Sequence, residues 1–276
     1  MLKKIIKVLL KLFVSIFFLY LIFKEIDYKS LNFYGIEKNY FLIISYIFLV
    51  YVQIICYLIR CEKIFEYPSD KKLVLHKINL SSFFIGSIIP VALSSEIYRI
   101  IKFKNILKIN GLKVSKLILA DKLNILFVYL ITLNLLLLLL FHENFTIVSI
   151  SIIFALLFFL LLKFNYKILI GKKLTFAYVL LILSALVANV ISGLMLFSFF
   201  SISENILILI TIIIVGFIFK VLPISYAGIG VYDFAMLKMA SYYSIDKDII
   251  FSMTALTHIL YFVGILPLII FLLKNE

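Results

Sequence analysis

The sequence predicts an all-α polytopic membrane protein, with about seven to eight transmembrane helices plus one or two broken or re-entrant segments. A single transmembrane domain covers residues 1–276, and three observations lead to it. Apolar residues make up 65% of the chain and charged residues 15%, against about a half and a quarter in soluble domains. Mean hydropathy is +1.21, and a chain of this size cannot bury that excess in one core, so lipid must cover it. Apolar runs of membrane-spanning length recur along the whole sequence, so no soluble catalytic domain is expected on either flank.

A hydrocarbon core of ~30 Å is crossed by about 20 helical residues. That ruler selects residues 5–23, 41–59, 123–141, 146–162, 174–200, 206–219 and 249–273 as spans. The first is preceded by lysines at 3, 4, 7 and 11 and lacks a small-residue cleavage site, so it reads as a retained helix rather than a signal peptide. Residues 78–98 and 221–243 differ in kind, being apolar but interrupted by Gly, Pro, Ser and a charge.

Loop charge orients the chain in the cell (inner or plasma) membrane, because cytoplasmic loops hold the excess of Lys and Arg. The four leading lysines place the N-terminus in the cytoplasm. Residues 24–40 carry three basic and three acidic groups and suit the outside. Residues 60–77 carry five basic groups, and residues 99–122 carry seven against one acid, so both read as inside loops. The segment between them, 78–98, therefore starts and ends on one side. Gly86 and Pro90 supply the turn that a re-entrant hairpin needs; a full span with a misleading charge pattern is the alternative. Residues 141–145 read as a short outer loop and 163–173, with four lysines, as an inner one. Beyond Lys220 the charges are too sparse to orient anything.

The net charge of +13 does not indicate nucleic acid. Its basic residues sit in short clusters between apolar runs, where they face anionic lipid head groups. Cys56 and Cys61, five apart, do not share a helix face and read as free thiols. No Cys/His spacing suits a metal, no cofactor motif is present, and the motifs of soluble hydrolases, zinc proteases and nucleotide-binding loops are absent. His76 and His142 read as loop residues. The stretch 174–200 carries Ser184, Ala188 and Ser192 at four-residue spacing, beside Ala185, Asn189 and Gly193. Such a ridge allows close helix approach, either as internal packing or as a docking face for a second copy or a partner synthase.

The candidate chemistry lies in the two interruptions, because backbone that leaves helical geometry inside a bilayer survives only against protein or water. Paired interrupted segments are a sequence pointer to a transporter site. In the first, Pro90 is followed by Ser94, Ser95, Glu96 and Arg99. Glu96 and Arg99 stand three apart on one helix face, and pair there or use the guanidinium as a fork for a lipid phosphate. Ser94 and Ser95 would cap the helix after Pro90. Asp121, Lys122 and Asn124 open a long span, with Lys122 read either as an interfacial lysine that snorkels or as a ligand. In the second, Pro223 and Ser225 precede Gly228 and Gly230, whose backbone suits an anion-binding nest. Asp233 then follows as a helix cap or as an ion- or proton-coupling group. His258, four residues after Thr254 on the last helix, is either a satisfied interior histidine or a functional one. The common plan of the two interruptions suggests an internal repeat.

These segments resemble the transmembrane region of lysylphosphatidylglycerol synthases and their stand-alone flippase-like relatives. The first family motif, Pro then Gly-Glu or Gly-Asp then Arg, appears here as Pro90, Ser95-Glu96 and Arg99, followed by Ala120-Asp121-Lys122-Leu123. The second appears as Leu222-Pro223-Ile224-Ser225 and Gly228-Ile229-Gly230-Val231-Tyr232-Asp233. Ser95 stands for Gly, Lys122 for Arg, Tyr232 for Arg and Asp233 for Glu, so a clamp of two guanidiniums is not expected from the second motif. The resemblance implies lipid handling without the aminoacyl-transfer domain of the full-length synthases.

The expected function is a flippase that moves an anionic phospholipid or a polyprenyl-phosphate-linked lipid between leaflets. Its two interruptions would meet near the midplane, with Arg99 and the Gly228–Gly230 backbone at the head group. A membrane enzyme for glycosyl or phosphoryl transfer on a lipid carrier, with Glu96 or Asp233 as base, and a non-catalytic accessory subunit are the alternatives.

Overall fold

A computed structural model describes residues 39–88, 94–167, 175–222 and 230–270, together with Tyr20 and Gly171. Every regular element among them is helical: α1 (Tyr40–Phe65), α2 (Lys72–Ile88), α3 (Ser94–Leu107), α4 (Gly111–Leu140), α5 (Phe145–Asn165), α6 (Phe176–Phe199), α7 (Ile206–Val221), α8 (Val231–Tyr242) and α9 (Lys247–Ile265), the last extended by a 3₁₀ turn, Leu266–Leu268. Five of them, α1, α4, α5, α6 and α9 with its turn, are long and apolar enough to cross a membrane. The span expected over 5–23 lies outside the described residues, as do Pro90, Pro223, Ser225 and Gly228. The expected total of seven to eight spans thus becomes five among the described residues.

The surface is what lipid requires. On α5 only 11% of the most apolar window is buried, and Ile153, Phe159, Leu160 and Phe164 are at least half exposed. A soluble monomer rarely leaves so continuous an apolar face open. Polar groups go inward instead: Arg60, Asn79, Arg99, Asp121, Asn124 and Asp233 are all 5% exposed or less. The chain is a membrane-embedded helical protein.

Helix starts follow local chemistry. Asn110, Asn144, Asn205 and Asp246 each accept a backbone N–H of the following first turn through the side chain, opening α4, α5, α7 and α9. Each satisfies one of the donors that a helix N-terminus leaves without a partner. Where the described helices depart from the sequence expectation, the reason is a charge. The apolar ruler stops at Arg60, yet α1 runs on to Phe65 because that arginine is buried against a partner. The expected inner loop over 60–77 shrinks to residues 66–71, and His76 lies within α2 rather than in a loop. The expected basic loop over 99–122 is almost wholly α3 and the start of α4, with only residues 108–110 between them. At 30 residues, about 45 Å at the helical rise, α4 exceeds any bilayer core. By contrast α7, read as a span over 206–219, has 16 residues and reaches about 24 Å, short of the ~30 Å core.

Two compact units divide these elements. One holds the first half of α1, the second half of α6, and α7, α8 and α9. Glycines set its spacing. A Cβ on Gly216 of α7 would sit 2.6 Å from Met236 Sδ and 2.8 Å from Tyr232 Cε2 of α8, so α7 and α8 touch where no larger residue fits. Gly193 of α6, a member of the small-residue ridge, lies equally close to Ile213 of α7, so at that position the ridge serves internal packing. The other unit holds the second half of α1, α2 as far as Ile85, α3 from Ser95, α4, α5 and the first half of α6. There α4 packs along α5, and Phe65, Tyr67, His76 and Phe103 meet edge to face near the α1–α2 turn.

Candidate functional site

The unit built on α1 to α5 encloses a polar cluster drawn from α1, α3, α4, α5 and α6. Its strongest member is the pair Arg60–Asp121. Arg60 Nε donates to Asp121 Oδ1 at 2.7 Å and a second guanidinium nitrogen donates to Oδ2 at 3.2 Å, the two-pronged geometry that favours arginine over lysine. Tyr178 OH donates to the same Oδ1 at 2.8 Å. Asn124, three residues along α4 from Asp121 and so on the same face, donates to the Tyr178 oxygen at 3.3 Å. Asn165 closes the set by donating to Asn124 Oδ1 and to the Ala120 carbonyl. A network satisfied to this degree stiffens the helices it joins.

Beside it, Glu96 on α3 forms an ion pair with Lys122 on α4 and accepts from Ser95 Oγ at 2.8 Å. This corrects three expectations. Glu96 takes its ion pair from Lys122 rather than from Arg99 three residues away. Lys122 is engaged by a carboxylate rather than merely snorkelling. Ser95 bonds to its neighbour's carboxylate inside the first turn rather than capping the helix.

Arg99 is left differently placed. It donates to Tyr57 OH, and its guanidinium lies 5.5 Å from the centre of the Tyr57 ring, as does that of Arg60. Tyr57 OH donates to Asn79 Oδ1, and Asn79 Nδ2 donates to Tyr67 OH. Arg99 Nε, in a residue 5% exposed, meets no acceptor among the described residues. Among the described residues each buried carboxylate of the cluster has one cation, Asp121 with Arg60 and Glu96 with Lys122. Arg99 is the third cation, with no carboxylate oxygen within 4.0 Å among the described residues. The cluster therefore carries one excess positive charge together with a buried N–H lacking an acceptor. Both are conditions that an anion relieves.

The other unit holds a second polar site where α8 begins. Gly230 takes φ 84°, a conformation open to glycine at little steric cost, and its N–H donates to Asp233 Oδ2 at 2.9 Å. Asp233 thus caps α8, and its other oxygen, Oδ1, lies 2.9 Å from His258 Nε2 on α9. The cap and the partner coexist on one carboxylate. The Tyr232 ring stands edge-on to His258, 5.7 Å between centres. Lys220, near the end of α7, extends its ammonium to within 4.9 Å of the Tyr261 ring centre, 5.3 Å of Phe217 and 5.7 Å of Tyr232, an aromatic enclosure that stabilises a cation.

Sequence reasoning singled out Glu96, Arg99, Asp121 and Lys122, which the structure gathers in one unit, and Gly230, Asp233 and His258, which it gathers in the other. It missed Arg60, Tyr57, Asn79, Asn165, Tyr178 and Lys220. Among the described residues no group of three His, Cys, Asp or Glu side chains is placed to hold a metal, and both cysteines are free. The chain matches no protein-family model, no curated protein and no solved structure.

Proposed function

We propose that the protein binds the phosphate of an anionic lipid at Arg99 and moves that lipid between the leaflets of the cell membrane, as a flippase. The observation that carries this reading is the third cation of a buried cluster, which among the described residues has no carboxylate partner and an Nε–H without an acceptor. A guanidinium recognises phosphate through two parallel bonds, while the acyl chains stay in lipid and only the head group needs a protein path. The sequence between α2 and α3, with Pro90 among apolar residues, supports the reading, since interrupted segments line substrate paths in transporters. So does the resemblance of residues 90–99, 120–123 and 222–233 to the flippase-like membrane proteins. The lipid class is an anionic phospholipid or a polyprenyl phosphate, which share the phosphate.

The test is binding and flux with each lipid separately, using phosphatidylglycerol and polyprenyl phosphate as probes in proteoliposomes. Arg99→Ala loses binding and Arg99→Lys keeps part of it, because an ammonium reproduces the charge but not the fork. Equal flux by both variants and the parent, at equal folded yield, overturns the assignment.

A second reading, an enzyme acting on a lipid carrier, is favoured by the His258–Asp233 pair, since a carboxylate-oriented imidazole is a general-base arrangement. An enzyme converts a labelled lipid in detergent with no second compartment, a flippase acts only across a sealed bilayer, and an accessory subunit does neither alone.

A further inference from the structure

We propose that the Asp233–His258 pair is a proton-binding site, and, resting on the transport reading above, that the proton is the ion whose gradient drives lipid movement. The pair has the parts such a site needs. Asp233 is buried, its side chain 4% exposed, while the His258 side chain that contacts it is 25% exposed, so the imidazole is the more accessible member of the pair. Both carboxylate oxygens are engaged, Oδ2 by the Gly230 N–H and Oδ1 by His258 Nε2, each at 2.9 Å. With Nε2 facing a carboxylate, the neutral imidazole carries its hydrogen there, and the gained proton goes to Nδ1.

The groups around the pair set the charge arithmetic. From α7 comes Lys220; from α8, Tyr232 and Asp233 itself; from α9, Thr254 and Tyr261; and from α1, Tyr46, whose hydroxyl donates to the Thr257 carbonyl. With His258 neutral, Lys220 and Asp233 sum to zero. Protonation takes the set to +1. A buried net charge in apolar surroundings is far less stable than a compensated set, so the loaded and unloaded states favour different arrangements or occupants of this region. Histidine is the side chain whose ordinary titration falls between about pH 5 and 8. It is joined here to a buried acid at the start of a helix that follows an interruption, the geometry in which a change of charge reaches the backbone.

Capping and proton binding separate in one substitution. Asp233→Asn keeps an oxygen for the Gly230 N–H, since Asn caps as well as Asp, but removes the charge that favours the imidazolium. The first measurement is an NMR titration of isotope-labelled histidines in detergent-solubilised protein, with the His258 signal identified by its loss in His258→Gln. The expected result is a His258 signal that moves as pH is varied, and that moves at a different pH in Asp233→Asn because its facing charge is gone. A His258 signal that does not respond to pH, or whose response Asp233→Asn leaves in place, overturns the proton site. The second measurement is flux of a fluorescent phosphatidylglycerol in vesicles of phosphatidylglycerol and phosphatidylethanolamine, with and without an imposed pH gradient. The parent protein responds to the gradient, whereas His258→Gln and Asp233→Asn do not. A parent flux indifferent to the gradient, or a His258→Gln variant that still responds, overturns the coupling. A parent that moves no probe while its His258 titrates as expected removes the transport reading, and coupling with it, and leaves the proton site standing.

Discussion

Replacing Arg60 by Met isolates what the buried ion pair does. Arg60 and Asp121 are 4% and 5% exposed, and after the substitution the buried Asp121 carboxylate keeps the Tyr178 hydroxyl as its hydrogen-bond donor among the described residues. Two magnitudes compete. Hydrogen bonds between membrane helices average only ~0.6 kcal/mol, which would make the loss trivial. A bare charge at membrane depth costs at least ~2.5–3.5 kcal/mol, and breaking a buried pair from one side costs about 3–5 kcal/mol. The bare charge decides, so Arg60→Met and Asp121→Leu each destabilise by about 3–5 kcal/mol, roughly two to three and a half powers of ten in the folded population. The double variant Arg60→Met/Asp121→Leu leaves no charge behind. What remains is a Tyr178 hydroxyl without its acceptor, about 1 kcal/mol. Reversible unfolding in mixed micelles measures all four proteins. Single variants that cost less than ~1 kcal/mol, or a double variant as unstable as the worse single one, would refute the reasoning.

The glycine contacts give a graded series. Gly216→Ala meets the stiff Tyr232 ring as well as Met236 and should destabilise by about 1–3 kcal/mol. Gly193→Ala meets Ile213 at a comparable distance but through a side chain with a rotamer to change, and should cost less. Gly264→Ala, with Val50 at 3.4 Å, should be near neutral, so equal losses in the same unfolding assay would show that these glycines do not set the helix spacing. For the α2–α3 pair, Lys72→Cys and Lys104→Cys should both react with an impermeant maleimide from the same side of sealed vesicles, as a re-entrant hairpin requires. The native Cys56 and Cys61 are buried and give little background. Reaction from opposite sides would make 78–98 a crossing segment.

The membrane class was legible because it rests on composition, which tertiary structure cannot change. Boundaries were legible only where an apolar run ended in a cap. The start of α5 moved by one residue from its expected place, while α4 begins twelve residues before its apolar run. Charges misled because the apolar ruler treats each one as an exit from the bilayer. Arg60 was assigned to a loop on that ground, although its partner Asp121 lies 61 residues away and nothing local announces it. Tyr57, Asn79 and Tyr178 are single polar residues in apolar stretches and Asn165 fell in an expected lysine-rich loop, so none was distinguishable by sequence until the fold brought them together. Lys220 carried half a signal, since Phe217 three residues earlier shares its face, whereas Tyr232 and Tyr261 reach it only through packing.

The two arginines beside Tyr57 differ in how far the described residues satisfy them. Both are buried, both lie 5.5 Å from the same ring, and both would read alike in a sequence. Arg60 is satisfied by a carboxylate that is itself satisfied by Tyr178, so adding an anion there would break bonds already made. Arg99 donates to a neutral phenol, keeps an N–H without an acceptor, and has the nearby acid Glu96 held by Lys122. The Glu96–Lys122 pair thus acts on Arg99 indirectly. By engaging the carboxylate that would otherwise neutralise the guanidinium, Lys122 keeps a positive charge available inside an apolar protein. An anion arriving at Arg99 completes the charge balance, whereas one arriving at Arg60 would compete with a carboxylate already in place.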